Sequence, residues 1–190
     1  MSSLAESEKL ALLRIARRSF TAAVERRPSM EEAPDETAAD IRSLSQPGGA
    51  FVTIFRKGRL RGCIGRLASQ SGLTDLVTHC ARAVASDDPR FPRVEPEELP
   101  LVEIELSVLS EPADISPEEI EPGKHGLLVT RGSHRGVLLP QVAVQFHWNG
   151  MRFLEATCEK AGLARDAWKS PETRVQAFTA EVFSEMESKA

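Results

Sequence analysis

The sequence predicts an α+β protein with a mainly antiparallel sheet packed with helices. Residues 4–27 and 72–86 carry apolar side chains at helical spacing, while Val102, Ile104, Leu106 and Val108 alternate with polar residues as a half-buried strand does. Strand-like runs flank two short turn signals, Lys57-Gly58 and Gly132-Ser133, with no regular βαβ rhythm.

In residues 4–27, Leu10, Leu13, Ala16, Phe20 and Val24 fall on one side, and Arg14, Arg18 and Glu25 face away. Ser3 followed by Glu6 has the spacing of a capping box. Residues 28–48 change character: Glu31, Glu32, Asp35, Glu36 and Asp40 with Pro28 and Pro34 read as an acidic connector to a main body over 49–183. Ala50 to Phe55 and Leu60 to Leu67 form a predicted hairpin, because Gly58 accepts the positive φ of a tight turn. The helix over 72–86 rests on Leu73, Leu76, Val77, Cys80, Ala81 and Val84, with Ser71 in the capping position.

Asp87-Asp88-Pro89-Arg90-Phe91-Pro92 forbids helix and sheet and predicts an ordered loop. After the strand over 102–109 and a proline-rich acidic stretch, 127–131 and 134–139 read as a second hairpin. Pro140 suits the first turn of a short helix, and Phe153, Leu154, Thr157, Cys158 and Ala161 mark another that Gly162 closes. Alternation from Val175 to Phe183 predicts a final strand. The chain is read as a single domain over 1–190.

Composition narrows the function classes. Of 190 residues 41% are hydrophobic, enough for a core, and the net charge is −4, opposite to the basic excess of a nucleic-acid binder. No apolar run reaches the roughly 20 residues of a membrane helix, and the first residues lack the pattern of a secretory signal. Three cysteines without CxxC spacing fit a reducing compartment, hence a cytoplasmic protein without disulfides. No set of ligands at metal-binding spacing is visible, so no metal and no cofactor are expected.

The most informative stretch is Leu60-Arg61-Gly62-Cys63-Ile64-Gly65. Strand interiors avoid glycine, so two glycines around a thiol imply close approach of another segment or a ligand. In a regular strand Leu60, Gly62 and Ile64 share one face and Arg61, Cys63 and Gly65 the other, with Arg61 about 7 Å from Cys63 along the strand. A guanidinium there favours thiolate and offers a dock for a small anion. Cys63 reads equally as a small buried residue of a tight sheet. Cys80 and Cys158 lie on apolar helical stripes and read as core. His125, between Gly123-Lys124 and Gly126, is a candidate base or ligand-orienting group, or else a turn histidine.

The hexapeptide resembles the signature of the AMMECR family, protein A of the AmmeMemoRadiSam system. Asp88-Pro89-Arg90-Phe91-Pro92, Ser107-Val108-Leu109-Ser110, Lys124-His125-Gly126, Leu138-Leu139-Pro140-Gln141-Val142 and Ala161-Gly162-Leu163 resemble its other landmarks, in order, over residues 5–183. The resemblance implies two lobes, each around antiparallel strands, with the hexapeptide near a cleft. It implies an intracellular modification pathway shared with a Memo-like protein and a radical-SAM protein, the radical chemistry belonging to the partner because this chain has no Fe–S cysteine cluster.

Two functional readings follow. In one, the chain is an enzyme or enzyme component: Cys63 is nucleophile or covalent anchor, His125 a proton carrier, and Arg61 and Arg90 hold an anionic group beside Gly62 and Gly65. In the other it is a binding or adaptor module, Cys63 is a packed residue, and the cleft holds a small-molecule or peptide ligand or a partner segment. Neither reading involves nucleic acid or a membrane, and neither specifies an oligomeric state.

Overall fold

The computed structural model describes residues 4–27 and 47–186. The chain divides into two compact units, Met1–Leu109 with Glu181–Ala190, and Ser110–Ala180. Ser3 and residues 28–46 of the expected acidic connector lie outside the described residues.

The first unit opens with α1, Glu6–Val24. Its start is held by the Glu8 carboxylate, which accepts the Ala5 amide at 2.7 Å. Leu12, Leu13, Ala16, Phe20 and Val24 are buried, whereas Leu10 is exposed. The buried stripe thus runs through Leu12 instead of the expected Leu10, and Ser19 on its flank is buried too.

β1 (Pro47–Arg56) and β2 (Arg59–Gly72) form an antiparallel hairpin. Lys57 and Gly58 both have positive φ, 52° and 71°, the backbone that matches a two-residue hairpin loop to strand twist. β2 continues to Gly72, which takes the N-cap position of α2, Leu73–Ala83. Ser71 is therefore a strand residue and not the expected cap. β3, Val102–Leu109, lies on the other side of β1, antiparallel to it. Ala50, Val52 and Ile54 of β1 and Ile104 and Leu106 of β3 are fully buried with Phe20, Val77 and Cys80 in one core.

Residues 181–186 close this unit beside β3. Glu185 donates its amide to Ile104 O at 3.1 Å, accepts the Ile104 amide at 3.0 Å, and pairs with Arg17. Phe183 joins the core.

The second unit has its own core. β5 (His125–Arg131) pairs antiparallel with β6 (His134–Leu138) on one side and with β7 (Arg174–Ser184) on the other. The short β4, Ala113–Asp114, pairs with the far edge of β7. α3 (Pro140–Gln145) begins at its proline, and α4 (Gly150–Lys160) is capped by Asn149, whose side chain accepts the Arg152 amide at 2.8 Å. Gly162, φ 73°, ends α4 as its position predicts. Leu127, Val129, Phe153, Leu154 and Cys158 are fully buried together.

The fold is thus α+β with antiparallel pairing throughout the strand pairs described, as the sequence predicts. Among the described residues, no helix is long and apolar enough to cross a membrane.

Candidate functional site

The register of the first hairpin decides where the hexapeptide points. Arg56 pairs with Arg59 and Phe55 with Leu60, but Ile54 pairs with Gly62 and Thr53 with Cys63. Arg61 is the extra residue of a β-bulge. Leu60 and Gly62 consequently face opposite sides, correcting the shared face that simple alternation predicts. Gly62 and Ile64 turn to the core with Ile54 and Val52, while Cys63 shares its face with Thr53.

The bulge frees Arg61 from the pleat and sends its guanidinium sideways. Nε and Nη2 donate to the Glu98 carboxylate at 3.0 and 2.9 Å, and Nη1 and Nη2 donate to Pro92 O and Arg93 O at 3.0 and 3.2 Å. This cation holds the 92–98 segment against β2. In return, the Arg61 hydrogen bond lowers the Glu98 carboxyl to about 2. Four of the five guanidinium N–H groups are engaged, which leaves little of Arg61 for an anion.

The two glycines are occupied by neighbours. A Cβ on Gly62 would lie 3.1 Å from Val84 Cγ2, and one on Gly65 would lie 2.3 Å from the Phe51 ring. Packing of chain on chain accounts for both.

Cys63 differs from its fellow thiols. Cys80 and Cys158 are fully buried, and burial pushes the Cys80 thiol up to about 11; Cys63 is only partly buried. The Thr53 hydroxyl donates to Cys63 Sγ at 3.2 Å. On the outer edge of β2 the Cys63 amide donates to Asp88 Oδ2 at 2.9 Å.

Asp88 is the centre of the predicted loop. Its side chain is almost wholly buried, and it also accepts Arg90 Nε at 2.9 Å, Arg90 Nη2 at 2.7 Å and the Arg90 amide at 3.1 Å. The Arg90 guanidinium foremost, and then the Cys63 and Arg90 amides, hold the Asp88 carboxyl well below the usual carboxylate range. Arg90 itself stays 55% exposed, and its charge is favoured by Asp88 first and, to a lesser degree, by a negative Cys63. The loop thus presents an exposed cation tied through Asp88 to the backbone of Cys63.

His125 belongs to the second unit, at the start of β5. Its Nδ1 accepts the Glu121 amide at 3.1 Å, so a neutral ring carries its proton on Nε2. It lines a pocket of about 550 Å³ with Ser110, Glu121 and Phe178. Among the described residues, no three histidine, cysteine or acidic side chains converge to hold a metal.

Thr53, Asp88 and Glu98 are the residues that sequence reasoning missed. Asp88 lies in the loop the sequence singles out, two positions before Arg90. Thr53 is recoverable only once the bulge is counted into the register.

Fold and site together define a class: two-unit α+β proteins with one partly buried cysteine on a bulged edge strand, braced by a buried aspartate. The AMMECR1 family profile matches residues 13–183, and the chain belongs to that family. It is 40% identical over 185 residues to protein TK0174 of Thermococcus kodakarensis, covering 92% of this chain and 88% of that one. A protein of Methanothermobacter thermautotrophicus is 46% identical over 147 residues, covering 74% of this chain and 77% of its own. The crystal structure of the uncharacterised protein PH0010 from Pyrococcus horikoshii superposes with a TM-score of 0.77 at 37% identity, over 92% of this chain and 90% of that one.

Proposed function

We propose that the protein works through the Cys63 thiol, as an enzyme or enzyme component of a cytoplasmic modification pathway with a Memo-like protein and a radical-SAM protein as partners. One observation carries this reading: Cys63 is the one cysteine of three that is not fully buried, and a hydroxyl donates to its sulfur at 3.2 Å. The thiolate is the form of a cysteine that attacks an electrophile. Arg90 is the nearby cation that would receive an anionic group of a small-molecule or peptide substrate. Arg61 serves in this reading as a positioning residue.

The adaptor reading is favoured by a different observation. Val84 and Phe51 fill the spaces at Gly62 and Gly65, and Glu98 occupies Arg61, so the hexapeptide is explained by packing without any ligand.

Native-state alkylation with iodoacetamide, read by mass spectrometry, separates the two. The thiol reading expects Cys63 to label well before Cys80 and Cys158, and Cys63→Ser to abolish complementation of a deletion strain with the thermal midpoint nearly unchanged. Labelling of Cys63 only on unfolding, with the serine variant costing mainly stability, establishes the adaptor instead. Pull-down from the native host with tagged protein tests the two partners.

A further inference from the structure

At the C-terminal end of α1 the first unit holds a second pocket, of about 380 Å³, that uses neither Cys63 nor its bracing residues Thr53 and Asp88. Arg26, Arg27, His79, Arg82, Asp87 and Arg93 line it, so four guanidinium groups face one carboxylate in a chain of net charge −4. Arg66 adds a further cation, its Nη2 3.4 Å from His79 Nε2.

Three of the four lining arginines have structural duties. Arg93 Nη2 donates to Ala23 O at 2.7 Å, capping the carbonyl end of α1, and Arg82 Nη2 donates to Arg27 O at 3.3 Å in the turn that follows it. Arg27 Nε donates to Glu25 Oε2 at 2.6 Å. Each bond uses one of five N–H groups and leaves the rest of a planar fork that fits phosphoryl oxygens. Asp87, the acid in the pocket, accepts the Ser86 hydroxyl at 2.7 Å.

Arg26 stands apart. The Arg27 amide bonds Ala22 O at 2.8 Å and the Arg26 amide bonds Ala23 O at 3.2 Å, the hydrogen-bond pattern of a Schellman end. Arg26 occupies the left-handed position of that motif, φ 56°, where glycine is the favoured residue. An arginine held in strained backbone in the lining of a cationic pocket is the kind of outlier from which function is inferred.

We propose that this pocket binds a small, multiply charged phosphorylated metabolite, with Arg26 and Arg82 as its principal ligands. Its volume suits a small organic ligand. Its charge is gathered in one concavity and not spread along a stripe, which sets it apart from a nucleic-acid surface.

The test uses the full chain and pyrophosphate, with sodium chloride at matched ionic strength as reference. Thermal midpoint and titration calorimetry are read for the wild type, Arg26→Gly, Arg82→Gln and, as control, Arg135→Gln, an exposed arginine of the second unit. Pyrophosphate is expected to raise the wild-type midpoint saturably. Arg26→Gly is expected to melt higher without ligand, because glycine relieves the strain, yet to bind at least about tenfold more weakly, a loss near 1.4 kcal/mol. Arg82→Gln should lose a similar factor, and Arg135→Gln none. The proposal is overturned if pyrophosphate does no more than chloride, if Arg26→Gly binds like the wild type, or if Arg135→Gln weakens binding as much as the pocket variants. A lowered midpoint for unliganded Arg26→Gly overturns the strain argument.

Discussion

Asp88 accepts the backbone amide of Cys63 at 2.9 Å, so a buried carboxylate 25 positions along the chain fixes the strand edge that carries the thiol. The same carboxylate grips Arg90 through two side-chain bonds. Thiol, edge and exposed cation therefore depend on one side chain. Asp88→Asn keeps the shape but removes the charge, leaving weaker partners for the Cys63 amide and the guanidinium. We expect a loss of about 2–3 kcal/mol in urea unfolding and a changed alkylation rate at Cys63. A variant as stable as wild type, with the same labelling rate, would show that the loop holds itself.

Acid should weaken the first unit over a defined window. Asp88 and Glu98 both titrate lower in the folded chain than their ordinary 3.8 and 4.5, so below those values the unfolded state binds more protons. Their stabilisation is complete above about pH 4.5; that of Glu98 is lost as pH falls toward its folded value of about 2, and that of Asp88 persists further into acid. Glu98→Gln should therefore melt lower than wild type at pH 7 and show a shallower decline between pH 4.5 and 2. Equal slopes for the two proteins would remove Glu98 from the account.

Gly65→Ala places a Cβ 2.3 Å from the Phe51 ring. Forcing that ring aside should cost about 1–3 kcal/mol. Adding Phe51→Leu should recover part of it, the rest being held by the Ala50 carbonyl oxygen 2.5 Å from the same Cβ. Gly62→Ala, with its nearest contact at 3.1 Å, should cost less. A double variant less stable than Gly65→Ala alone would contradict the assigned clash.

Gly136→Ala in the second unit meets backbone at both of its nearest contacts. Its Cβ would lie 2.4 Å from both Ala161 N and Thr157 O, where β6 crosses the end of α4. Backbone has no rotamer with which to yield, and Gly136 meets two such atoms at 2.4 Å where Gly65 meets one at 2.5 Å, so this variant should lose more stability than Gly65→Ala. Circular dichroism melts of the two side by side decide the order.

Thr53→Val removes the hydroxyl that donates to Cys63 Sγ and keeps the shape. Iodoacetamide labelling of Cys63 at fixed pH should slow severalfold while stability changes by under about 1 kcal/mol. Unchanged labelling would show that the hydroxyl does not activate the sulfur.

Much of the fold was legible because each element declares itself locally. The alternation of Val102 to Val108, the turn at Lys57-Gly58, the stripe through Leu73 and Cys80 and the proline at 140 all mark elements that the structure contains. Periodicity places a stripe only to within a neighbouring residue, which is why Leu12 and not Leu10 is buried. The AMMECR signature was legible too, and the match over residues 13–183 bears it out.

The site was harder to read because its geometry depends on distant partners. Alternation assumes a regular strand, and the bulge at Arg61 breaks it. Nothing near Arg61 in sequence announces that Glu98 will capture it, 37 positions away. The glycines do signal close approach, but a phenyl ring and a valine make that approach as readily as a ligand does. Ser71 has cap chemistry, yet the strand extends through it to Gly72 because ladder pairing reaches Pro47.

The first unit is discontinuous, since its closing piece, with Phe183 in the core and Glu185 bonded to Arg17 and Ile104, follows the whole of Ser110–Ala180. On the ribosome this inverts the order of completion. The first unit waits for its last strand segment while the whole of residues 110–180 is made, an interval of several seconds at about 5–20 residues per second. Through that interval α1, α2 and the hairpin bearing Cys63 wait with the outer edge of β3 unpaired. The pace of translation across residues 110–180 thus sets how long a nascent chain must be shielded from its neighbours.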